Sequence, residues 1–458
     1  MKNFNLAIIG AGSGGYTAAL LASQKGLKVL LAEENNLGGV CLNSGCIPTK
    51  FLLHKSGVFS SIKDVNNYGI EIEGLNIDYR KLKEKKDDLV SSLRGGVEFL
   101  LRKRGVEVVK ARAKIVSQNE LLLKYEDKEK TVRSDNIIIA TGSSPLELKG
   151  MEFDHSGVMS SESILNLESL PESLLIVGGG VVGVEFATHF AHLGVKVYLI
   201  EAMSGILPKQ DKEISNILKK ALIRIGVEIH TSTKVQKIEK NDGSIHVALE
   251  NGLTLNPEKI LVAVSRAANI EGLWQNVDIN IEHGFIKVNS NMRTNIKNIY
   301  AIGDVLGGFM LAHSASYEAK VSVSNILGQE KLSDYSSIPI CIYTSPEIAT
   351  VGLSEEEAKR RGIIVKIAKF PFIALGKARA VSKTDGFVKL IADSKGKVLL
   401  GANLVGPSVT EIVSELTLAI RLKIPCSELL EVIHPHPTIS EAIQEALEIL
   451  NDTPINFI

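Results

Sequence analysis

Hydrophobic and polar positions along this chain follow a repeating order. A short apolar run at Leu6–Ile9 leads into a glycine-rich turn, then a stretch with helical spacing through Tyr16–Lys25, then a second strand-like run at Lys28–Ala32. Short apolar runs bounded by turn residues suit strands buried on both faces, and a helix between two of them is the β-α-β unit of a parallel sheet. The order returns at Leu174–Val177, Gly178–Gly180, a helix to His192 and Lys196–Ile200. The repeat predicts a duplicated nucleotide-binding domain. Asn136–Ala140, Leu261–Val264 and Asn298–Ile302 read as further buried strands. Beyond residue 337 the pattern changes. Strands Phe387–Ala392 and Val398–Val405 precede a long helix, Thr410–Arg421, as in a separate α+β domain. Lys81–Asp88, a mixed charge run, is expected on a solvated helix face.

The expected fold class is therefore α/β, with two Rossmann-like dinucleotide-binding domains and a C-terminal α+β domain. The chain has 458 residues, room for three or four domains of about 100–200 residues each. The boundaries read as 1–147 and 148–270 for the two nucleotide-binding regions, 271–337 for a central region and 338–458 for the C-terminal domain.

Charge and composition narrow the function. Lys and Arg number 52, as do Asp and Glu, so the net charge is zero. A nucleic-acid binder needs a basic stripe to neutralise phosphates, and no such partner is expected. Asn3–Gln24 carries no charge and invites a membrane or signal reading. Gly10, Gly12, Gly14 and Gly15 at its centre disfavour a single helix by about 1 kcal/mol each. Strand, turn and helix fit better. With the first strand starting near Asn5, the expectation is a soluble, cytoplasmic protein with no transit peptide and no membrane partner.

The first turn reads Gly10-Ala-Gly12-Ser-Gly14-Gly15. In such a motif the first glycine makes the tight turn, the second admits a pyrophosphate and the third lets helix pack on strand. The helix N-terminus then offers free amides to the phosphates. Glu33, at the end of the second strand, can accept hydrogen bonds from ribose hydroxyls. Gly178, Gly180 and Gly183 repeat the motif, with Glu201 at the same interval. A carboxylate there repels the 2′-phosphate of NADP, so the second site should prefer NAD. Two dinucleotide sites in one chain point to electrons passing between cofactors, and a flavin is the natural partner of nicotinamide.

There are four cysteines, and no Cys-x-x-Cys spacing suggests structural zinc. Cys41 and Cys46 lie close together in Gly38-Gly39-Val40-Cys41-Leu-Asn-Ser-Gly45-Cys46-Ile-Pro48-Thr-Lys50. Pro48 suits the first turn of a helix, which places Cys46 just outside a helix N-terminus, where the dipole favours a thiolate. Lys50 adds positive charge one turn in. The bland alternative is two buried cysteines that happen to be close. A low-pKa thiol beside a second thiol reads instead as a redox-active dithiol.

With these residues the chain resembles the flavoprotein pyridine nucleotide–disulfide oxidoreductases, most closely their dihydrolipoamide dehydrogenase branch, from Leu6 to about Leu447. Gly38–Lys50 matches the family's disulfide motif. Ala140–Pro145 matches its A-T-G-S-x-P segment. Tyr300–Asp304 and Met310–His313 match its second flavin segment. Ile342–Ala349 matches its interface signature and His434–Glu441 its H-x-H-P-T-x-x-E.

The resemblance implies FAD and NAD as cofactors and a redox disulfide between Cys41 and Cys46. It places Gly39, Val40, Lys50, Ala113, Thr141 and Gly142 at the flavin nucleotide. Asp304 would accept a hydrogen bond from the ribitol chain. Met310, Leu311, Ala312 and His313 would open a helix aimed at the flavin ring. Lys50 would pair with Glu185, and Val235 and Ser265 would lie at the NAD site. His436, oriented by Glu441, would act as the base from the other subunit of an obligatory homodimer. Read without the resemblance, Asp304 is a turn residue, Glu185 an acid favoured by a helix start, and Glu441 a cap for the Thr438 amide.

The implied reaction oxidises dihydrolipoyl groups on lipoylated acyltransferases or lipoyl carrier proteins, of 2-oxo acid dehydrogenase or glycine cleavage complexes, and reduces NAD⁺. The alternatives are a related reductase of another disulfide, or a flavin-binding redox sensor. Glu201 speaks against the NADPH-linked glutathione and trypanothione reductases. The C-terminus lacks the cysteine pair of mercuric reductases. Ser265 departs from a glycine expected near NAD, and Ala111 and Ala113 from glycines expected beside the flavin adenine. Cys341 and Cys426 carry no motif and are expected to be buried spectators.

Overall fold

A computed structural model of the chain describes residues 2–241 and 244–457. The first apolar run forms the strand Asn3–Ile9, paired in parallel on both sides: Ile9 lies opposite Ala32 on one neighbour and Ile139 on the other. Strands in this sheet run in the order Glu107–Lys110, Val29–Glu33, Asn3–Ile9, Glu129–Ile139, and Ile299–Ala301 pairs beside the last. Leu6, Ile8, Leu31 and Ile138 are fully buried. They pack under α1 (Ser13–Gln24), whose small face of Ala18, Ala19 and Ala22 lets it lie close to the sheet. Helices α2 (Gly39–Ser44), α3 (Cys46–Lys63) and α4 (Tyr79–Lys103) follow before the third strand.

The second sheet repeats the arrangement. Its order is Glu228–Thr231, Lys196–Glu201, Ser173–Val177, Lys259–Val262, Val158–Ser160, all parallel. Helix α5 (Val181–His192) follows the glycine turn, and α6 (Lys212–Arg224) precedes the outer strand. In both sheets the strand that leads into the glycine turn has neighbours on both sides, and a later strand of the chain pairs on the side away from the next β-α-β strand. Ligands of open α/β sheets bind at that switch point, beyond the carboxyl ends of the strands. A further helix, α7 (Ala312–Ile326), returns to pack on α1.

The C-terminal region is a five-stranded antiparallel sheet, ordered Ile340–Ile342, Glu347–Gly352, Leu399–Gly406, Phe387–Asp393, Val365–Pro371. The helices Val409–Leu422 and Glu441–Leu450 bury Val413, Leu416, Ile443 and Leu447 against it. Among the described residues no helix is long and apolar enough to cross a membrane.

Three expectations need correction. The strand read at Asn136–Ala140 begins at Glu129, because its polar first half pairs antiparallel with Glu120–Lys124 and buries only alternate residues. Lys86, inside the supposed solvated face, is 3% exposed. Its long stem carries the ammonium to the Leu165 carbonyl at 2.7 Å and to Asp87. Cys426 is buried as expected, but Cys341 is only half-buried.

Candidate active site

The two glycine turns are built alike. Gly10 and Gly178 have φ of +97° and +112°, which side chains rarely adopt. A Cβ on either would press into a backbone carbonyl, Ala140 at 2.3 Å or Ala263 at 2.5 Å. A Cβ on Gly15 or Gly183 would stand 1.9 Å from the carbonyl oxygen of Gly10 or Gly178. Packing inside the protein therefore requires these four glycines. It does not require Gly12, where a Cβ meets nothing closer than 3.9 Å, or Gly180, where nothing lies within 4 Å. In dinucleotide-binding turns this is the position whose open space admits a pyrophosphate.

The acids match as closely. Glu33 accepts from the amides of Ala11 at 2.7 Å and Asn35 at 2.8 Å. Glu201 accepts from Gly179 and Met203, both at 2.7 Å. Each carboxylate keeps lone pairs for ribose hydroxyls.

A cavity of about 1120 Å³ runs from the first turn to α5. Gly10, Gly12, Gly14, Glu33, Gly39, Val40, Ala113, Thr141, Gly142 and Asp304 all reach it, and so do Cys41, Cys46, Lys50 and Glu185. Ala111 and Ala113 are buried in its wall, and the Ala111 amide donates to the Glu33 carbonyl. Helices α1, α2, α3 and α7 start at this cavity with no side-chain cap, unlike α4 and α6, which Asp78 and Asp211 cap. Uncapped helix starts offer amides and positive potential to a bound anion.

At the start of α7, Met310 (φ +49°) and Ala312 line the cavity. Leu311 is the residue before the helix, and His313 turns outward to the Pro339 carbonyl at 2.8 Å.

The two sulfurs lie side by side as free thiols. Cys41 is on α2, and Cys46 is the first residue of α3 rather than just outside it. Cys46 is pulled below the ordinary thiol value, first by the hydrogen bond it receives from Cys41 and then by Lys50; burial and Glu185 oppose this. Cys41 is pushed up, by donating that hydrogen bond and by burial. Lys50 holds Glu185 at 2.8 and 3.0 Å. The Tyr343 amide donates to the same carboxylate at 3.0 Å, and the Tyr343 ring lies under the ammonium at 4.9 Å. A residue on α3 is thus tied to α5 and to the C-terminal region.

The contacts around Asp304, and the residues Glu162 and Glu318, were not read from the sequence. Asp304 accepts from the Ser143 hydroxyl at 2.7 Å. Ser143 in turn is gripped by Arg266, at 2.7 Å to both its hydroxyl and its carbonyl, and Arg266 also pairs with Glu162. Glu318 accepts from the Gly303 amide at 2.6 Å and the Tyr335 hydroxyl at 2.9 Å. Burial pushes its pKa up to about 7 against those two hydrogen bonds. An acid facing inward from α7 was the one available clue.

Other candidates stand elsewhere. His436 is 79% exposed on the side chain and does not line the cavity. Its Nδ1 lies 2.7 Å from one oxygen of Glu441, whose other oxygen accepts from the Thr438 amide at 2.7 Å. Glu441 thus contacts the His436 ring and the Thr438 amide at once, although the helix begins at Glu441 with Ser440, not Thr438, at its N-cap. Val235 pairs with Leu249 in a separate antiparallel sheet. Ser265 is exposed, and its carbonyl accepts from the Leu146 amide at 3.1 Å.

Residues 4–319 match the model of the pyridine nucleotide-disulphide oxidoreductases, and residues 338–447 match that family's dimerisation domain. The chain belongs to the pyridine nucleotide-disulphide oxidoreductases. A dihydrolipoyl dehydrogenase of Bacillus subtilis is 40% identical over 99% of both chains. One of Geobacillus stearothermophilus is 40% identical over 98% of this chain and 97% of its own. Among solved structures, LpdA of Mycobacterium tuberculosis shares the fold, with a TM-score of 0.92 at 22% identity over 98% of this chain and 100% of that one. The HOCl-induced flavoprotein disulfide reductase RclA of Escherichia coli gives 0.87 at 28%, over 97% and 99%.

Like other pyridine nucleotide-disulphide oxidoreductases, the chain is a flavoprotein with a redox disulfide centre, and its cofactors are FAD and NAD. The cavity fits a dinucleotide on its own terms. Gly12 leaves room for a pyrophosphate, and the buried Thr141 hydroxyl has no hydrogen-bond partner within the described protein.

Proposed function

We propose that this protein is a dihydrolipoyl dehydrogenase that oxidises protein-bound dihydrolipoyl groups and reduces NAD⁺. The observation that carries this reading is the Cys41–Cys46 pair beside Lys50 and Glu185, in a chain about 40% identical to dihydrolipoyl dehydrogenases over nearly its whole length.

In this reading the active protein is a homodimer, and His436 of a second copy faces the cavity. The exposure of His436 and its distance from the chain's own cavity lining favour that arrangement. Glu441 holds Nδ1 of His436 and leaves Nε2 free to take a proton from a dihydrolipoyl thiol. The resulting thiolate attacks Cys41 Sγ of the Cys41–Cys46 disulfide, and Cys46 leaves as thiolate. The second lipoyl thiol then attacks the lipoyl sulfur of the mixed disulfide, the bond to Cys41 Sγ breaks, and Cys41 departs as a thiol carrying the proton that the second lipoyl sulfur gives up. The lipoyl ring closes, and both electrons now sit on the dithiol. The low pKa of Cys46 makes it the better leaving group, and Lys50 balances the charge left on it. FAD and NAD, when bound, supply the route by which that electron pair leaves as hydride. Glu33 and Glu201 orient the two riboses, and Asp304, held by Ser143 and Arg266, orients the flavin side chain.

The four-part division at residues 147, 270 and 337, and a cytoplasmic setting alongside lipoylated partners of 2-oxo acid dehydrogenase or glycine cleavage complexes, belong to the same proposal. The test is an assay of the purified protein with dihydrolipoamide and with a lipoylated domain, using NAD⁺ and NADP⁺ in parallel. NAD⁺ reduction is expected with both substrates. Cys46→Ser should abolish turnover while flavin stays bound. A yellow protein inert with either lipoyl substrate but active on another disulfide would overturn the reading.

A further inference from the structure

Five cations line the large cavity: Lys50, Lys86, Arg94, Arg112 and Arg266. Four of them have a carboxylate within reach, namely Glu185, Asp87, Glu34 and Glu162. Among the described residues Arg94 has none. Its guanidinium makes a single hydrogen bond within the described protein, from Nε to Asn43 Oδ1 at 3.0 Å. Asn43 lies between the two cysteines and is itself fixed, its amide donating to the carbonyls of Leu37 at 2.9 Å and Gly39 at 2.8 Å. Gly39 packs directly on the first glycine turn, where its Cβ would fall 2.5 Å from Gly12 Cα. Asn43 thus tethers Arg94 by one edge beside the first glycine turn and leaves both Nη groups without a partner among the described residues.

A half-buried guanidinium without a counter-ion is costly, and its planar fork matches two oxygens of a phosphate. We propose that Arg94 is a cofactor-binding residue that neutralises the pyrophosphate of FAD over the Gly10–Gly15 turn. The inference rests on the FAD reading above and adds to it an electrostatic clamp reaching across from α4. The glycine turn supplies neutral amide donors, and Arg94 supplies the full charge they lack.

The test is titration of apoprotein with FAD, followed by flavin fluorescence, at several salt concentrations. Arg94→Gln should raise the FAD dissociation constant about tenfold to a hundredfold. It should also flatten the dependence of affinity on salt, because a screened charge pair is gone. Arg94→Lys should recover part of the affinity and keep the salt dependence. Asn43→Ala, which frees the tether but keeps the charge, should cost less than Arg94→Gln. Wild-type protein that binds no FAD would sink the FAD reading itself. Wild-type protein that binds FAD, with Arg94→Gln equal in affinity and salt dependence, overturns the Arg94 proposal alone. If Arg94→Gln does not fold, Arg94→Met decides by the same two readouts: weaker FAD binding with a flatter salt dependence supports the clamp, and wild-type affinity with wild-type salt dependence overturns it.

Discussion

Gly14 and Val182 hold the same place in the two glycine turns, one step before the last glycine of each, and their surroundings differ. Gly14 lies beneath α7, where a Cβ would meet Ile302 at 3.1 Å and the Ala315 carbonyl at 3.2 Å. Val182 is 37% exposed, and the helix packed on α5 is the early helix α3 rather than a late segment like α7. The phosphate-binding backbone is shared, down to the carbonyl contacts of Gly10 and Gly178. What differs is the cover. A late segment of the chain closes over the first turn and leaves the second open. Identical local chemistry can therefore hold a cofactor that stays or admit one that comes and goes, depending on what packs above it.

Breaking the cover should have the largest effect. Gly14→Val forces α1 and α7 apart at a close backbone contact, and overpacking of this kind costs about 1–3 kcal/mol or more. The purified variant should have a lower melting temperature and little bound flavin. Full flavin occupancy would show that α7 does not act as a lid. An intermediate effect is expected at the junction between the units, where Lys50 of α3 meets Glu185 of α5. Alkylation of Cys46 in the reduced protein should accelerate as pH rises, with a midpoint below the ordinary thiol value of 9.0. Lys50→Met removes a cation that lowers this midpoint, so it should move up. Glu185→Gln removes a carboxylate that raises it, so it should move down. Equal midpoints in all three proteins would show that the junction does not tune the thiol. The smallest effect belongs to Val182→Gly, roughly 0.3–0.5 kcal/mol of helix propensity, with flavin content unchanged.

Much of this was legible in the chain. Apolar runs alternating with glycine turns gave both parallel sheets, because strands buried on two faces leave a continuous hydrophobic signature. The cysteines, Lys50 and the two ribose acids sit in local segments whose spacing carries their chemistry. Ser143 lay in a matched segment, but its link to Asp304 and Arg266 was not legible, and neither were Glu162 and Glu318, since each acts through a partner distant in sequence. Lys86 misled for the same reason: a charge run reads as solvated unless one knows that the Leu165 carbonyl lies over it. The cover above the first turn was invisible too, because α7 arrives from the far side of the second nucleotide-binding unit.

Glu201 has a consequence for any attempt to redesign coenzyme preference. Both of its oxygens already hold backbone amides, those of Gly179 and Met203. The side chain that would discriminate between the two nicotinamide nucleotides is also a staple for the loop that shapes their pocket. Replacing it with arginine would supply charge for a 2′-phosphate but would leave two amides without an acceptor and loosen the turn. A working switch to NADP therefore requires at least two coordinated changes, one to attract the phosphate and one to restore the acceptors that Glu201 provided.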